Sequence, residues 1–216
     1  MELVTVIIGG TVLALAASLA YAVKIYQEIK RKNVEIEALR SSLNGYVETY
    51  SFEKADEELV LQCQAKIKEL FHGDIEKEFN KYNTLEAKKA FANRIVTELA
   101  QCMNLKIDKI VIDDLGPFTR GVACHDNNTV TIYLNEVLLV ADPQQLVKTM
   151  CHELKHCVQF EALTNDIWGY SPQRIGQYLY SMEHYVQCEY VESYEGYVSQ
   201  IVEIDANKFV DEIFKA

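Results

Sequence analysis

Helix-breaking residues are scarce in this chain: 3 prolines and 9 glycines stand among 216 residues, and they gather in no linker. There is no internal repeat. A string of tethered modules is thereby excluded, and the length leaves room for one domain of about 100 to 150 residues behind a short N-terminal run. Positive charge is scarce as well. With 21 Lys and Arg against 32 Asp and Glu, the net charge is −11, and the absence of a basic face excludes nucleic acid as a partner class. The cysteines, Cys63, Cys102, Cys124, Cys151, Cys157 and Cys188, lack both Cys-x-x-Cys spacing and the tight framework of a disulfide scaffold. In a reducing compartment they would act as small apolar side chains, while their even number leaves an oxidised, exported form open.

Charge is missing altogether from Leu3 to Val23. As a helix this run would extend about 30 Å, enough to cross the hydrocarbon of a bilayer, and it predicts a transmembrane anchor over residues 1–23. A secretory signal would carry basic residues ahead of its apolar core, and only Met1 and Glu2 stand there. Ala20-Tyr21-Ala22 nevertheless resembles a cleavage site, which leaves export as the alternative. Lys24, Lys30, Arg31, Lys32 and Arg40 all follow the run, so the positive-inside rule places the bulk of the chain in the cytoplasm. Residues 24–52 form a charged, helix-prone connector. In it Ile25, Ile29, Ile36, Leu39, Leu43, Tyr46 and Tyr50 recur in steps of three and four, with Lys32 interrupting the seam. That stripe predicts a short coiled coil joining two chains in a homo-oligomer, or else a packing face.

The remaining residues, 53–216, read as an α+β domain that is mostly helical with a small hairpin or sheet. Helices are expected from Glu53 to Phe71 and from Thr84 to Met103, the second with Asn83 as N-cap, Glu86 at N3, and Leu85, Ile95 and Leu99 facing inward. Lys109 to Ile112 reads as a strand. Val122 to His125 and Thr129 to Leu134 flank Asp126-Asn127-Asn128, a hairpin signal between two runs of strand formers.

The most informative word is His152-Glu153-Leu154-Lys155-His156. Residues four apart lie one turn from each other on the same face of a helix, so His152 and His156 can offer two imidazoles to one metal ion with Glu153 beside them. Neutral imidazole suits zinc. A third protein ligand would leave the fourth position for water, whose proton a neighbouring carboxylate can take. The context is helical: Asp142 is placed as N-cap, Pro143 at N1 and Gln145 at N3, followed by apolar residues from Leu146 to Ala162 at helical intervals. The implied reaction is metal-assisted hydrolysis, most often of a peptide bond.

Two histidines alone would hold a metal weakly, so a third ligand is required downstream. Glu203 is the best placed, near the start of a final helix whose buried side reads as Ile201, Ile204, Ala206, Phe209, Val210 and Ile213. Asp205 is the alternative ligand, or an outer carboxylate that orients a histidine. A donor beside the reacting oxygen is also needed, and His184, Tyr185, Tyr190, Tyr194 and Tyr197 crowd the interval between the two motifs.

His-Glu-x-x-His followed by Glu-x-x-Ala-Asn-x-Phe resembles the small gluzincin-type zinc metallopeptidases, particularly the ImmA/IrrE-like and phage-associated ones, over the region from Leu105 to the C-terminus. The resemblance implies a zincin-like domain with Glu203 as the third zinc ligand and a protein or peptide substrate. It further implies that the strand before the metal helix, Thr129, Val130, Thr131, Ile132 and Tyr133 through Asn135, is an edge that pairs with extended substrate backbone. Lys155 departs from the pattern, since relatives often carry a small residue there. The sequence therefore reads as a membrane-anchored zinc metallopeptidase with Glu153 as general base. A membrane-tethered assembly protein with a structural or vestigial metal site is the alternative.

Overall fold

Hydrogen-bonding side chains set the helix starts. In this computed structural model, residues 50–126, 129–187 and 194–215 are described; the expected anchor, nearly all of the connector, and Cys188 and Tyr190 lie outside them. Helix α1 (Lys54–Phe71) begins where the Glu53 amide donates to Asp56 Oδ2 at 2.9 Å. Helix α2 (Ile75–Phe79) follows the N-cap Asp74, and α3 (Leu85–Cys102) starts at Thr84, whose hydroxyl accepts from the Ala87 amide. The cap is thus Thr84, not the expected Asn83. The inward face of α3 is Phe91, Ala92, Ile95, Val96, Leu99 and Ala100, and Leu85, the first residue of the helix, is left 41% exposed.

Three strands form one sheet: β1 (Lys109–Asp113), β2 (Gly121–Asp126) and β3 (Thr129–Asn135), in the order β1-β3-β2. Strand β3 runs antiparallel to β2 and parallel to β1. The pairing of Asp126 with Thr129 bears out the expected hairpin. One expectation fails here. Thr129 to Asn135 is the central strand, hydrogen-bonded on both sides, so Thr129, Val130, Thr131, Ile132 and Tyr133 form no free edge. Burial explains the difference: Val130, Thr131, Ile132, Leu134 and Asn135 are all buried, whereas β2 alternates half-buried and exposed residues as an edge strand does.

Helix α4 (Leu138–Ala141) leads into α5 (Pro143–Ala162), which is followed by α6 (Pro172–Glu183), α7 (Tyr194–Val198) and α8 (Ile201–Ile213). Helix α5 is the centre of residues 51–216. It packs on β2 and β3 on one side, on α8 on another, and on α2, α3, α4 and α6. Leu146, Val147, Met150, Cys151, Leu154, Cys157 and Val158 are all 0% exposed along it, and burying each large aliphatic side chain contributes about 1.5–3 kcal/mol. A second cluster, Phe71, Phe79, Tyr82 and Phe91, stacks where α1, α2 and α3 meet. No helix among the described residues is long and apolar enough to cross a membrane.

Candidate metal centre

The metal helix begins as the sequence predicts, with Pro143 in the first turn and Asp142 Oδ1 accepting from the Gln145 amide at 2.8 Å. Two turns on, its regular geometry brings His152 Nε2 and His156 Nε2 to 3.0 Å from each other. Glu203 lies in the first turn of α8, fully out of solvent, because α8 packs on α5. Its Oε2 is 3.4 Å from His152 Nε2 and its Oε1 is 3.5 Å from His156 Nε2. His152, His156 and Glu203 thus form a group able to hold a metal ion. Ligands at about 2.0–2.2 Å and tetrahedral angles around one ion stand about 3.3–3.6 Å apart, close to the spacing found.

The chemistry of the three donors fits a cation as well as their spacing does. Glu203 Oε2 is buried and accepts no hydrogen bond, an arrangement that costs free energy unless a positive charge lies beside it. The two Nε2 atoms face each other at 3.0 Å, where two lone pairs repel unless an ion or proton lies between them. Burial works to raise the Glu203 carboxyl, yet the neighbouring His152 and His156 rings outweigh it and hold that carboxyl well below the usual range.

Behind the ligands, Gln159 fixes one ring. Its Nε2 donates to Val202 O at 2.9 Å and to Asp205 Oδ2 at 2.7 Å, so its Oε1 is the atom facing His156 Nδ1 at 2.8 Å. Nδ1 must then carry the proton, and the Nε2 lone pair is left for the centre. Asp205, offered by the sequence as an alternative ligand or an outer carboxylate, occupies an outer position. It holds Gln159 and also accepts from Tyr178 at 2.7 Å.

Asp205 in turn belongs to a buried charge network. Lys155, 0% exposed, lies 3.1 Å from Asp205 Oδ2 and donates to Asp56 Oδ1 at 2.6 Å. Tyr170 also donates to Asp56 Oδ1, at 2.8 Å. Arg174 bridges the two carboxylates, 3.7 Å from Asp56 Oδ2 and 3.5 Å from Asp205 Oδ1. Asp56, Tyr170, Arg174 and Tyr178 escaped the sequence reading because α1, α6 and the segment just before α6 bring them in from distant positions. Gln159, three residues after His156, carried a legible signal in its spacing.

Glu153 lies against β2. Burial raises its carboxyl above the ordinary range, His152 and His156 oppose that, and the Ala123 amide donates to it. The strand can approach this closely only because of Gly121: a Cβ there would stand 2.7 Å from Thr149 Cγ2 and 3.0 Å from Glu153 Cγ and Oε1. Farther along β2, His125 stacks on Phe160 of α5, with ring centroids 3.9 Å apart.

Of the expected oxygen-side donors, Tyr197 reaches the site. Its ring packs edge-on against Tyr185 with centroids 6.1 Å apart, while Tyr185 donates to Glu203 Oε1 at 2.7 Å. Burial first, and then the Glu203 charge, push both phenols up. His184 does not join them: α6 ends at Glu183, and the exposed His184 ring turns back to the Tyr180 carbonyl at 2.9 Å and stacks on the Tyr180 ring. Tyr194 is 56% exposed on the short α7.

No protein-family model, curated protein or solved structure matches the chain. The chemistry of the site is read from its own donors.

Proposed function

We propose that the chain is a zinc-dependent metallopeptidase of gluzincin type, hydrolysing peptide bonds in a protein or peptide substrate. The observation that carries this reading is the meeting of His152, His156 and Glu203 around one point with the buried Glu153 beside them. Two imidazoles and one carboxylate are a catalytic zinc set, and they leave one coordination position for the reaction. When bound, zinc would polarise the scissile carbonyl and acidify water.

The remaining work falls to the protein's own groups. Glu153 takes a proton from the attacking water and delivers it to the leaving amine, a role suited to a carboxyl raised by burial toward the working pH. Tyr185, hydrogen-bonded to Glu203, and Tyr197 packed against it are neutral donors for developing negative charge. The free edge beside the metal helix is β2, so an extended peptide would pair with Gly121 to Asp126 rather than with β3. The uncharged run from Leu3 to Val23 supports a single-pass anchor, and the basic residues after it support a cytoplasmic domain.

Replacing Glu153 with Gln tests the reading. The variant should bind zinc and melt like the parent yet lose peptide hydrolysis by about a hundredfold or more. Equal hydrolysis by both chains would remove Glu153 from the chemistry, and none by either with zinc bound would leave a structural metal site in an assembly protein.

A further inference from the structure

Cys63 and Cys102 are 39 residues apart, and the packing of α1 on α3 brings their sulfurs to 3.9 Å. Both are free thiols. Their surroundings differ: Cys63 is 0% exposed, while Cys102, the last residue of α3, is half-buried and reachable from solvent. A hydrogen bond from Cys63 lowers the Cys102 thiol, with burial opposing and the nearby Lys66 ammonium reinforcing. The same hydrogen bond, and then burial, push the Cys63 thiol up. One sulfur is therefore the accessible nucleophile and the other the shielded proton donor in contact with it.

We propose that Cys63 and Cys102 form a reversible dithiol–disulfide pair, oxidised by low-molecular-weight disulfides. The Cys102 thiolate attacks one sulfur of the external disulfide, breaks its S–S bond and releases one thiolate. Cys63 sulfur then attacks Cys102, forming the protein disulfide and expelling the second thiolate. The two protons of the protein thiols pass to the two departing thiolates, and the two electrons lost by the protein sulfurs reduce the external disulfide. The sulfurs close from 3.9 Å to a bond length of about 2.05 Å. The bond ties the end of α3 to the buried face of α1 that carries Asp56, Leu59 and Val60. This pair is independent of the metallopeptidase reading.

The test treats the purified full-length chain with oxidised glutathione, alkylates the remaining thiols, and maps the peptides by mass spectrometry while melting is followed. The expected product is a linked Cys63–Cys102 peptide lighter by two hydrogen atoms, with melting raised by roughly 5 °C or more. Cys63→Ser should retain glutathione on Cys102, and Cys102→Ser should leave Cys63 unmodified. Exposed Cys124 reports that the reagent is active. Glutathione retained on Cys102 in the parent chain, or an unreacted Cys102 beside a modified Cys124, would overturn the proposal.

Discussion

Lys155 Nζ donates to Asp56 Oδ1 at 2.6 Å with both side chains fully out of solvent. The residue that departs from the expected pattern between the two histidines is therefore a tie between the metal helix and α1, reinforced by Asp205 and Tyr170. Removing Lys155 leaves the two buried carboxylates of Asp56 and Asp205 with the single charge of Arg174 between them, and breaking a buried pair in this way costs about 3–5 kcal/mol. Lys155→Met should lower stability by that amount in urea unfolding. Adding Asp56→Asn should cost less than a second full increment, because the two residues couple directly. Additive losses would show that the pair is not a unit.

Glu203 and Gln159 would act on a bound metal at different distances. Glu203→Gln keeps the shape and removes the charge, so zinc affinity measured by competition with a chelator should fall by more than about a hundredfold. Gln159→Leu leaves all three donors in place but frees the His156 ring, and the expected loss is about 10- to 100-fold. An unchanged affinity in the Gln159 variant would mean that packing alone orients the ring.

The metal-free chain should show a pH signature from His156. Burial works to lower it, but hydrogen bonding and charge from Glu203 raise it to about 9, above its ordinary 6.5. A folded-state value above the unfolded one gives stability that is complete below pH 6.5 and is lost as pH rises through about 9. Zinc requires the neutral ring, so its stabilising effect should grow over the same interval. Melting at a series of pH values with and without excess zinc measures this. A zinc-induced rise that is flat with pH would refute it.

Gly121→Ala places a methyl group against Thr149 and Glu153. Overpacking of this kind costs about 1–3 kcal/mol, and the displacement of Glu153 should lower kcat by about tenfold or more while zinc stays bound. Gly176 on α6 has open space around its would-be Cβ, and Gly176→Ala should instead stabilise by about 0.5–1 kcal/mol. Denaturation and turnover measured on both variants separate the local clash from a general effect of alanine.

Much of the site was legible because it is local. One helical turn places His156 over His152, Asp142 and Pro143 start the helix that carries them, and β3 runs back along β2 with Asp126 paired to Thr129. Such features depend on backbone geometry and on side chains a few residues away, which spacing records directly. The caps show the limit even there, since Asn83 and Thr84 are adjacent and both suited to the role, and only the hydrogen bond to Ala87 chose between them.

Contacts between distant segments were not written in any spacing. Glu203 comes to within 3.5 Å of two imidazoles some 50 residues away because α8 lies on α5. Strand β3 is central because β1 adds to its other side. Asp56 meets Lys155 across 99 residues. Periodicity states which face of an element is apolar, but the partner that covers that face is selected by the packing of the whole core. Local chemistry thus named His152, Glu153 and His156, and the downstream motif offered Glu203, but only long-range packing brings Glu203 and Tyr185 to the two imidazoles and supplies the buried charges that hold α5.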